Sequence, residues 1–376
     1  MSKLSAILPA LVCGLACPGL RAVDVADYDR LWSKAVLYRG ADGDWLREVK
    51  LLGREQLDWY DFHDGQAKAE GFYDRRTRLG ADLLFRDRCS FRLEVDWVAR
   101  AGALHYNKLT DCYFKQEWGE GWALLVGKQS TRLTLDGATS SNVLLTVERS
   151  AIAWNIGVPE DSVPGLCLEH NVGPWAYRAG LFSAGASTPG FGDFNAAAFG
   201  VLSVGREFAA AGSPDHALLR LDYMLQGADP QNATGKPAAF TRDHAQVWSL
   251  NFQYAHGPWA LGVDLAASEG RGAQSDLRGL QVMPSYAFDA DWQVVFRYTL
   301  MDSALADGLR FTRYESSVNA GRGDHYEECY WGLNRYFYGH KLKWMFGLQH
   351  TSMQDVAANG GAYHGWGLSS GFRVWW

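Results

Sequence analysis

Hydrophobic and polar residues alternate with a period of two through most of the chain. The pattern is clearest at 89–101, 291–301 and 340–351, where one register is apolar and the other polar or small. Successive side chains of a strand point to opposite faces, so each segment is predicted to be a β-strand with one apolar and one polar face. Val95, Phe296 and Leu348 fall on apolar faces, and Gln293 and Gln349 fall on polar ones.

The alternation predicts sixteen strands. They lie near 45–59, 73–86, 89–101, 107–118, 121–129, 165–171, 175–184, 196–206, 215–226, 244–255, 258–268, 277–288, 291–301, 326–338, 340–351 and 363–376. Bacterial single-chain barrels have an even number of strands, and about 16 strands leave an aqueous channel.

A soluble sandwich would also alternate, but three features favour a membrane barrel. The segments run for about 10 residues, as a tilted membrane-spanning strand requires. Their apolar faces combine aliphatic centres with aromatic ends. The last segment alternates up to an aromatic residue at the C-terminus, Trp376. We therefore predict an all-β fold, a transmembrane antiparallel β-barrel of about 16 strands in the bacterial outer membrane.

The longest gap between predicted strands is 130–164, and we expect this segment to fold into the lumen and narrow it. By contrast, the gaps at His256-Gly257 and Gly339-His340 are typical of tight turns on the periplasmic side.

The N-terminus predicts export. Lys3 precedes an apolar stretch from Leu4 to Leu20, and a small residue follows at Ala22, as in a secretory signal peptide. We assign 1–22 to the signal peptide, 23–44 to a short N-terminal tail and 45–376 to the barrel. No later stretch has the roughly 18 consecutive apolar residues of a transmembrane helix.

Composition and charge narrow the function. The chain has 16 Trp, 17 Tyr and 18 Phe, which suits strands and membrane interfaces. Without residues 1–22, it keeps 34 basic and 42 acidic residues and a net charge of −8, which disfavours nucleic acid as a partner. The partners expected are small solutes and outer-membrane lipid.

Motifs for catalysis or metal binding are weak. Residues 367–371 match the Gly-x-Ser-x-Gly pattern, but a nucleophile elbow needs a strand-to-helix turn and this segment alternates as a strand. Cys167 and His170 lack a second ligand pair, and the histidines are scattered. We expect no enzyme, no metal and no cofactor. The pairing of Cys89, Cys112, Cys167 and Cys329 stays open.

The chain resembles a known family, the phosphate-selective porins O and P. The blocks that carry the resemblance are 75–80 (Arg-Arg-Thr-Arg-Leu-Gly), 93–96 (Leu-Glu-Val-Asp), 109–113 (Leu-Thr-Asp-Cys-Tyr), 126–129 (Val-Gly-Lys-Gln), 140–141 (Ser-Ser), 148–149 (Glu-Arg), 332–337 (Gly-Leu-Asn-Arg-Tyr-Phe) and 339–343 (Gly-His-Lys-Leu-Lys). The region 165–325 is similar only in character.

The resemblance implies a trimeric 16-stranded barrel that carries small solutes, often anions, with arginines along one wall of the pore. The arginine pair of the family falls on Arg75 and Arg76, and the acidic residue of its Thr-Asp-Ala-Tyr motif falls on Asp111. In one departure, the family's Gly-Gln-Phe-Lys block ends here in Ser130 rather than lysine. The loop that follows contains Arg132 but no lysine, so the lysine-rich inward loop of the family is not matched.

Alternation assigns faces independently of the family. It directs Arg76, Arg78 and Asp111 into the lumen, and it puts Arg75 in the outward register. The resemblance adds Arg149 beyond the inward loop, and two basic residues lie at the start of that loop. The predicted constriction is Arg76, Arg78, Asp111, Lys128, Arg132 and Arg149. Either these residues form a cationic wall that passes anions, or they are ordinary solvated lumen charges.

The function expected is passive diffusion of small solutes through a water-filled pore, with anions such as phosphate among them. Two rivals remain open. An outer-membrane enzyme such as a lipase would need a Ser-His-acid triad on one barrel face. A structural or adhesion barrel would have a lumen plugged by large apolar residues.

Overall fold

The structure is a computed structural model that describes residues 25–100, 103–157, 162–183, 189–192, 197–209, 215–228 and 243–376. The predicted signal peptide, 1–22, lies outside the described residues. Helix α1 (Val25–Ser33) belongs to an N-terminal unit that ends at Ala35, and all strands belong to the unit Val36–Trp376. Within the described ranges, no helix has the length and apolar character needed to cross a membrane.

Nineteen strands and two short α-helices are assigned in the described part of the second unit, besides the short 3-10 helices Arg86–Arg88, Gly119–Gly121 and Glu315–Ser317. In chain order they are β1 (Val36–Arg39), β2 (Leu46–His63), β3 (Lys68–Phe85), β4 (Cys89–Arg100), β5 (Ala103–Glu117), β6 (Trp122–Ser130), α2 (Leu135–Ala138), α3 (Ala151–Asn155), β7 (Ser162–Val172), β8 (Trp175–Ser183), β9 (Ala198–Glu207), β10 (His216–Gln226), β11 (His244–His256), β12 (Trp259–Gly270), β13 (Leu277–Ala287), β14 (Trp292–Ser303), β15 (Leu309–Arg310), β16 (Arg322–Gly323), β17 (His325–Tyr336), β18 (Leu342–Gln354) and β19 (Tyr363–Trp375).

Sixteen of these strands close into a barrel. Each of β2–β14 and β17–β19 pairs antiparallel with the next along the chain, except that β14 pairs directly with β17. The last strand then pairs with the first, from Trp366 opposite His63 to Trp375 opposite Arg54. Every predicted strand overlaps one of the sixteen, so the prediction of a 16-stranded antiparallel barrel is confirmed.

The connections at one end of the barrel are short. They include 86–88, 118–121, 173–174, 257–258, 288–291 and 337–341. Gly173, Gly257 and Gly339 have φ of 54°, 54° and 51°, in the left-handed region that such turns need. The opposite end carries the long connections, including 131–161 and 304–324. This asymmetry is that of outer-membrane barrels, whose short turns face the periplasm.

The segment predicted as an N-terminal tail contains α1 and β1. Strand β2 extends beyond the end of β19, and β1 pairs with this extension, with Val36 opposite Lys50 and Arg39 opposite Glu48. Because an unpaired strand edge exposes backbone donors and acceptors, β1 protects the first barrel strand where no other neighbour covers it.

The outer face of the barrel is apolar and aromatic at both margins. Trp97 packs against Tyr106 near the long connections, with ring centroids 6.3 Å apart. Trp259 packs against Tyr286 near the short turns, at 4.6 Å. The alternation explains this surface, because the residues between these margins that point outward are the apolar ones of each strand. Leu348 is 40 % exposed.

The segment after β6 folds into the lumen, as predicted. Leu133, Ala151 and Ile152 in this segment are fully buried. The backbone N–H of Leu135 donates to Asp264 on β12 at 2.8 Å, and Lys343 on β18 donates to the carbonyl of Leu144 at 2.5 Å. The segment therefore contacts widely separated parts of the barrel wall.

A second segment, 304–324, also enters the barrel, although no pattern in the sequence predicts it. Leu309, Phe311 and Glu315 are at most 4 % exposed. The two inward segments bond to each other, since Asn155 accepts a hydrogen bond from the N–H of Arg310 at 2.8 Å and donates one to its carbonyl at 3.0 Å.

Candidate pore constriction

A polar cavity of about 190 Å³ lies between the inward loop and the wall formed by β2–β6. Its lining residues are Arg54, Arg76, Arg78, Arg92, Asp111, Tyr113, Leu125, Gln129, Ser130, Arg132, Gly137, Ala138, Thr139, Ser140, Ser141, Arg149 and Ser162. Of the six predicted constriction residues, five line it: Arg76, Arg78, Asp111, Arg132 and Arg149. The lining thus contains six arginines and one carboxylate.

The sixth predicted residue, Lys128, lies elsewhere, and its assignment to the constriction is corrected. In β6, Leu125 and Gln129 line the cavity, whereas Lys128 shares the opposite register with the exposed Val126. Its ammonium donates to the carbonyl of Gly190 at 2.5 Å. Lys128 is buried because a segment of the β8–β9 connection covers it on the outer face.

Arg75 departs from the alternation, because it enters the lumen although its register in the sequence is the outward one. Gln56 pairs with Arg76, but the next residue, Leu57, pairs with Asp74, so Arg75 is the extra residue of a β-bulge. A bulge turns a side chain away from the face that simple alternation assigns. Arg75 is buried and bonds to Glu148 of the inward loop at 2.9 Å. The expectation that Arg75 faces outward was wrong, and the pair Arg75-Arg76 enters the lumen together.

A second bulge orients Asp111. Glu94 pairs with Asp111 and Val95 with Leu109, which leaves Thr110 as the extra residue. The Thr110 hydroxyl lies 2.9 Å from the Glu94 carbonyl, to which it donates. Asp111 keeps the inward direction that alternation predicts, and its carboxylate accepts from the Ser162 hydroxyl at 3.1 Å.

Carboxylates behind the cavity hold most of its arginines in place. Arg78 pairs with Glu94 at 3.1 Å and with Asp96 at 3.2 Å. A second pair is bidentate, with Arg92 donating to both oxygens of Asp82 at 2.7 and 2.6 Å. These pairs fix the guanidinium groups and moderate their charge, so the wall is cationic at its surface and acidic behind it.

Arg54, Arg76 and Arg132 have further partners, two of which are uncharged side chains. Arg54 donates to the Ser141 hydroxyl at 2.7 Å and also pairs with Glu94 at 3.4 Å. Arg76 donates to the Gln56 side-chain oxygen at 2.6 Å, and Arg132 pairs with Glu169 at 3.0 Å.

Three donors at the cavity have no hydrogen-bond partner in the described part of the chain. They are Nε of Arg54, Nε of Arg149 and Nε2 of Gln129, all of them buried atoms. A buried donor without a partner is unfavourable, so a solute or water with acceptor oxygens would be stabilised here.

Two charged residues of the inward loop adjoin the cavity. Burial disfavours the ionised form of Glu148, but Arg75 and Arg313 outweigh it and hold the pKa of this carboxyl well below its usual range. Burial lowers the pKa of Arg149 to about 10, although Asp136 and Glu148 act in the opposite direction. Both groups are therefore charged at neutral pH.

Other basic residues of the lumen bind the loop instead of lining the cavity. Lys343 donates to the Leu144 carbonyl, Arg373 donates to the Val147 carbonyl at 3.1 Å, and Arg297 donates to the Glu148 carbonyl at 2.9 Å. All three are at most 3 % exposed. Their charge anchors the loop backbone to β14, β18 and β19.

Sequence reasoning did not select Arg54 and Arg92, although both line the cavity. Arg92 stands in the polar register of an alternating segment, so its inward direction was already implied by the sequence. Nothing in the sequence distinguished it from other lumen charges, because the position of the loop decides which of them meet the cavity.

The weaker motifs do not converge on a second site. Ser369 lies within β19 and not at a strand-to-helix turn. The four described cysteines are free thiols. No group of three or more potential metal ligands is found among the residues that the structure describes.

Comparison with known proteins agrees with this geometry. The sequence profile described as phosphate-selective porin O and P matches residues 49–346. No curated protein matches the chain.

Solved structures share the fold. OprB of Pseudomonas putida at high pH is 14 % identical, with a TM-score of 0.60 over 93 % of this chain and 96 % of that one. An anion-selective porin from Comamonas acidovorans is 13 % identical, with a TM-score of 0.60 over 87 % and 99 % of the two chains. The outer-membrane channel DcaP of Acinetobacter baumannii is 13 % identical, with a TM-score of 0.54 over 90 % and 100 %. At such identities the likeness concerns the fold alone.

Proposed function

The chain belongs to the phosphate-selective porin O and P family and is an outer-membrane porin, and from this premise we propose that it conducts small anions, phosphate among them, through the cavity between β2–β6 and the inward loop. The observation that carries this proposal is the composition of the cavity lining, six arginines against one carboxylate.

The chemistry of the lining supports this assignment. Guanidinium groups bind oxyanions through planar, paired N–H donors. The orphan donors of Arg54, Arg149 and Gln129 add sites that an oxyanion would satisfy. Hydroxyl groups of Ser130, Ser140 and other residues line the same space and replace part of the hydration shell.

Conduction also requires that the solute leaves again. The carboxylates of Glu94, Asp96 and Asp82 behind the arginines weaken the local positive potential. Asp111 lines the cavity itself and repels an anion that approaches it. This combination favours anions and keeps their binding weak, and the proposed activity is passive transport with no catalytic step.

The experiment is a reversal-potential measurement on the purified channel in planar bilayers, in asymmetric KCl and then in asymmetric potassium phosphate. We expect a potential of the sign that anion permeation gives in both salts. A cation-selective potential would overturn the proposal of anion conduction. Liposome swelling with neutral sugars of increasing size would measure the pore size separately.

Two further properties belong to the same proposal. The first is cleavage of residues 1–22 on export, which N-terminal sequencing of the protein from outer membranes would test. An intact Met1 there would contradict it. The second is a homotrimer, which rests on the family. Cross-linking and native mass spectrometry in mild detergent should give three chains per particle, and a monomer would contradict it.

A further inference from the structure

Glu148 is bound by its neighbours in the way that a small oxyanion would be bound. Nε of Arg75 donates to Oε2 at 2.9 Å and Nη2 donates to Oε1 at 3.3 Å. Nε of Arg313 donates to the same Oε2 at 3.3 Å, and the backbone N–H of Arg149 donates to Oε1 at 2.9 Å. Each carboxylate oxygen therefore has two donors, and two of the three donor groups are guanidinium groups.

The two arginines come from different parts of the fold. Arg75 is the bulged residue of β3, and Arg313 belongs to the second inward segment. The guanidinium of Arg313 lies over the rings of Tyr73 and Trp154, at 5.2 and 5.1 Å from their centroids. Stacking of this kind holds a guanidinium in place. The guanidinium of Arg313 is thus held by contacts other than the one with Glu148 itself.

This group adjoins the arginine cavity through two chain neighbours. Arg76 follows Arg75, Arg149 follows Glu148, and both Arg76 and Arg149 line the cavity. A charge at Glu148 therefore acts on any anion inside the cavity, because Coulomb interactions in a partly dehydrated site extend over about 10 Å.

We propose that Glu148 is a tethered anion, which occupies an oxyanion subsite built by Arg75, Arg313 and the Arg149 N–H and thereby limits how tightly the adjacent cavity holds a permeating oxyanion. This inference rests on the proposed anion conduction and adds the residue that sets its affinity. The subsite takes groups with at least two oxygens, such as phosphate or a carboxylate, because its donors engage both oxygens of Glu148.

Glu148 has two separable properties: its negative charge, and its contacts that connect β3 with the second inward segment. The effect on anion binding is expected from the charge. Replacing Glu148 with glutamine keeps the size and one acceptor oxygen but removes the negative charge. The cavity then becomes more cationic by one unit. A permeating oxyanion is held more tightly, so the current saturates at a lower concentration.

The experiment compares the full-length wild-type channel with Glu148→Gln and Glu148→Asp in planar bilayers, with phosphate and chloride as probes. We expect Glu148→Gln to lower the half-saturating phosphate concentration by about tenfold, as one unit charge near the cavity would do. The maximal conductance should not rise. Glu148→Asp keeps the charge and should remain within about twofold of wild type, since only the geometry changes.

Arg313→Gln gives an independent readout with the opposite sign. It leaves Glu148 less neutralised, so the half-saturating phosphate concentration should rise. Glu117→Gln is the matched control, because it removes one lumen carboxylate at the short-turn end, where Glu117 pairs with Lys115 at 2.6 Å. It should change saturation much less than Glu148→Gln.

Two results would overturn the inference. One is unchanged phosphate saturation in Glu148→Gln while the channel still assembles and prefers anions. The other is a higher conductance for both ions without a change in saturation, which would mean that Glu148 only fastens the loop. If the wild-type channel itself prefers cations, the proposed anion conduction fails instead, and the two failures are distinguishable.

Discussion

The inward faces of β2–β5 and of β8–β14 follow the same alternation, but they differ in the part of the second face that lies near the long connections. The first wall presents arginines and carboxylates, such as Arg78, Arg92 and Glu94. The second presents apolar side chains near the long connections. These are Phe182, Phe199, Val201, Met224, Val247, Ala266, Leu277 and Met301, each buried. The first wall lines the cavity and bonds to the inward loop through polar groups, whereas the apolar part of the second wall packs against this loop.

The apolar wall explains where the inward loop lies. Ile152 and Ile156 of the loop pack into the same cluster as Met301 and Leu277. Glycines make room for this contact, since a Cβ at Gly279 would lie 2.8 Å from Cγ1 of Ile152. Burial of apolar surface fixes the loop against one side of the barrel, and the cavity is left on the charged side.

The difference between the two walls changes what apolar lumen residues indicate. From sequence alone, large apolar residues in a lumen are expected of a plugged structural barrel. Here an apolar cluster on β8–β14 packs against Ile152 and Ile156 and holds the loop in place. Apolar lumen residues therefore mark where the loop is attached, and the cavity lies along the polar remainder.

The largest effect is expected from a charge introduced into the apolar contact between the inward loop and β8–β14. Ile152→Asp removes a fully buried side chain and buries a carboxylate among Met301, Leu277 and their neighbours. The cost is about 3–5 kcal/mol, so the loop should leave the wall. We expect higher single-channel conductance and faster proteolysis within 131–157. Val143→Asp, at a position that is 39 % exposed in the same loop, is the control and should change neither. Equal behaviour of the two variants would contradict the account of loop attachment.

A second test concerns the faces on which the comparison depends. Phe296→Arg puts a cation on the outer face of β14 and should cost about 2–4 kcal/mol in folding titrations at membrane mid-depth. Gln293→Arg, on the inner face of the same strand, should cost less. Gln349 on β18 also faces inward but is not an equivalent control, because it is 7 % exposed and donates to Glu315 at 2.5 Å. Arginine there would break a buried contact. Equal costs at Phe296 and Gln293 would show that the assigned faces are wrong.

The number of strands, and the face of the barrel on which most side chains lie, could be predicted because both depend on local sequence. The period of two is repeated at each strand, and the closed barrel follows from the need to pair every strand edge. The bulges were not predicted, because an extra residue such as Arg75 or Thr110 is defined only against the partner strand.

The candidate site was predictable in part for the same reason. Five of the six predicted residues line one cavity, since their direction follows from strand alternation or from the loop. Lys128 does not line the cavity because it shares the outward register of β6 with Val126, where a distant segment at Gly190 covers it. The second inward segment, 304–324, was missed because contacts with Asn155 and with strands far along the chain hold it, and no local pattern reports them.

Neutralising the charged wall should change selectivity without moving the loop. With Arg76, Arg78 and Arg149 all changed to Gln, we expect the anion-to-cation permeability ratio to fall by at least tenfold, because each unit charge within about 8 Å contributes roughly 2 kcal/mol at an effective dielectric constant of 20. Reversal potentials in asymmetric KCl measure this. Lys343→Gln removes a basic residue that binds a loop carbonyl, and it should shift the potential far less. An unchanged potential in the triple variant would place the constriction elsewhere.

The smallest expected effect is the most specific to the charged wall. Asp111→Asn removes the one carboxylate of the cavity lining and keeps the size and an acceptor for Ser162. In asymmetric KCl, anion preference should increase by about threefold, because one charge is lost and chloride is monovalent; phosphate carries about two charges, so the same change in potential corresponds to about tenfold for it. The half-saturating anion concentration should fall in parallel. Ser162→Ala deletes the hydrogen bond to Asp111 but no charge, so it separates the two contributions and should leave the reversal potential close to that of wild type. Two outcomes would contradict this account: a shift of the reversal potential toward cation preference in Asp111→Asn, or the same effect from Ser162→Ala. Either would mean that Asp111 positions its neighbours and does not repel anions. The selectivity of the charged wall would then depend on its arginines alone.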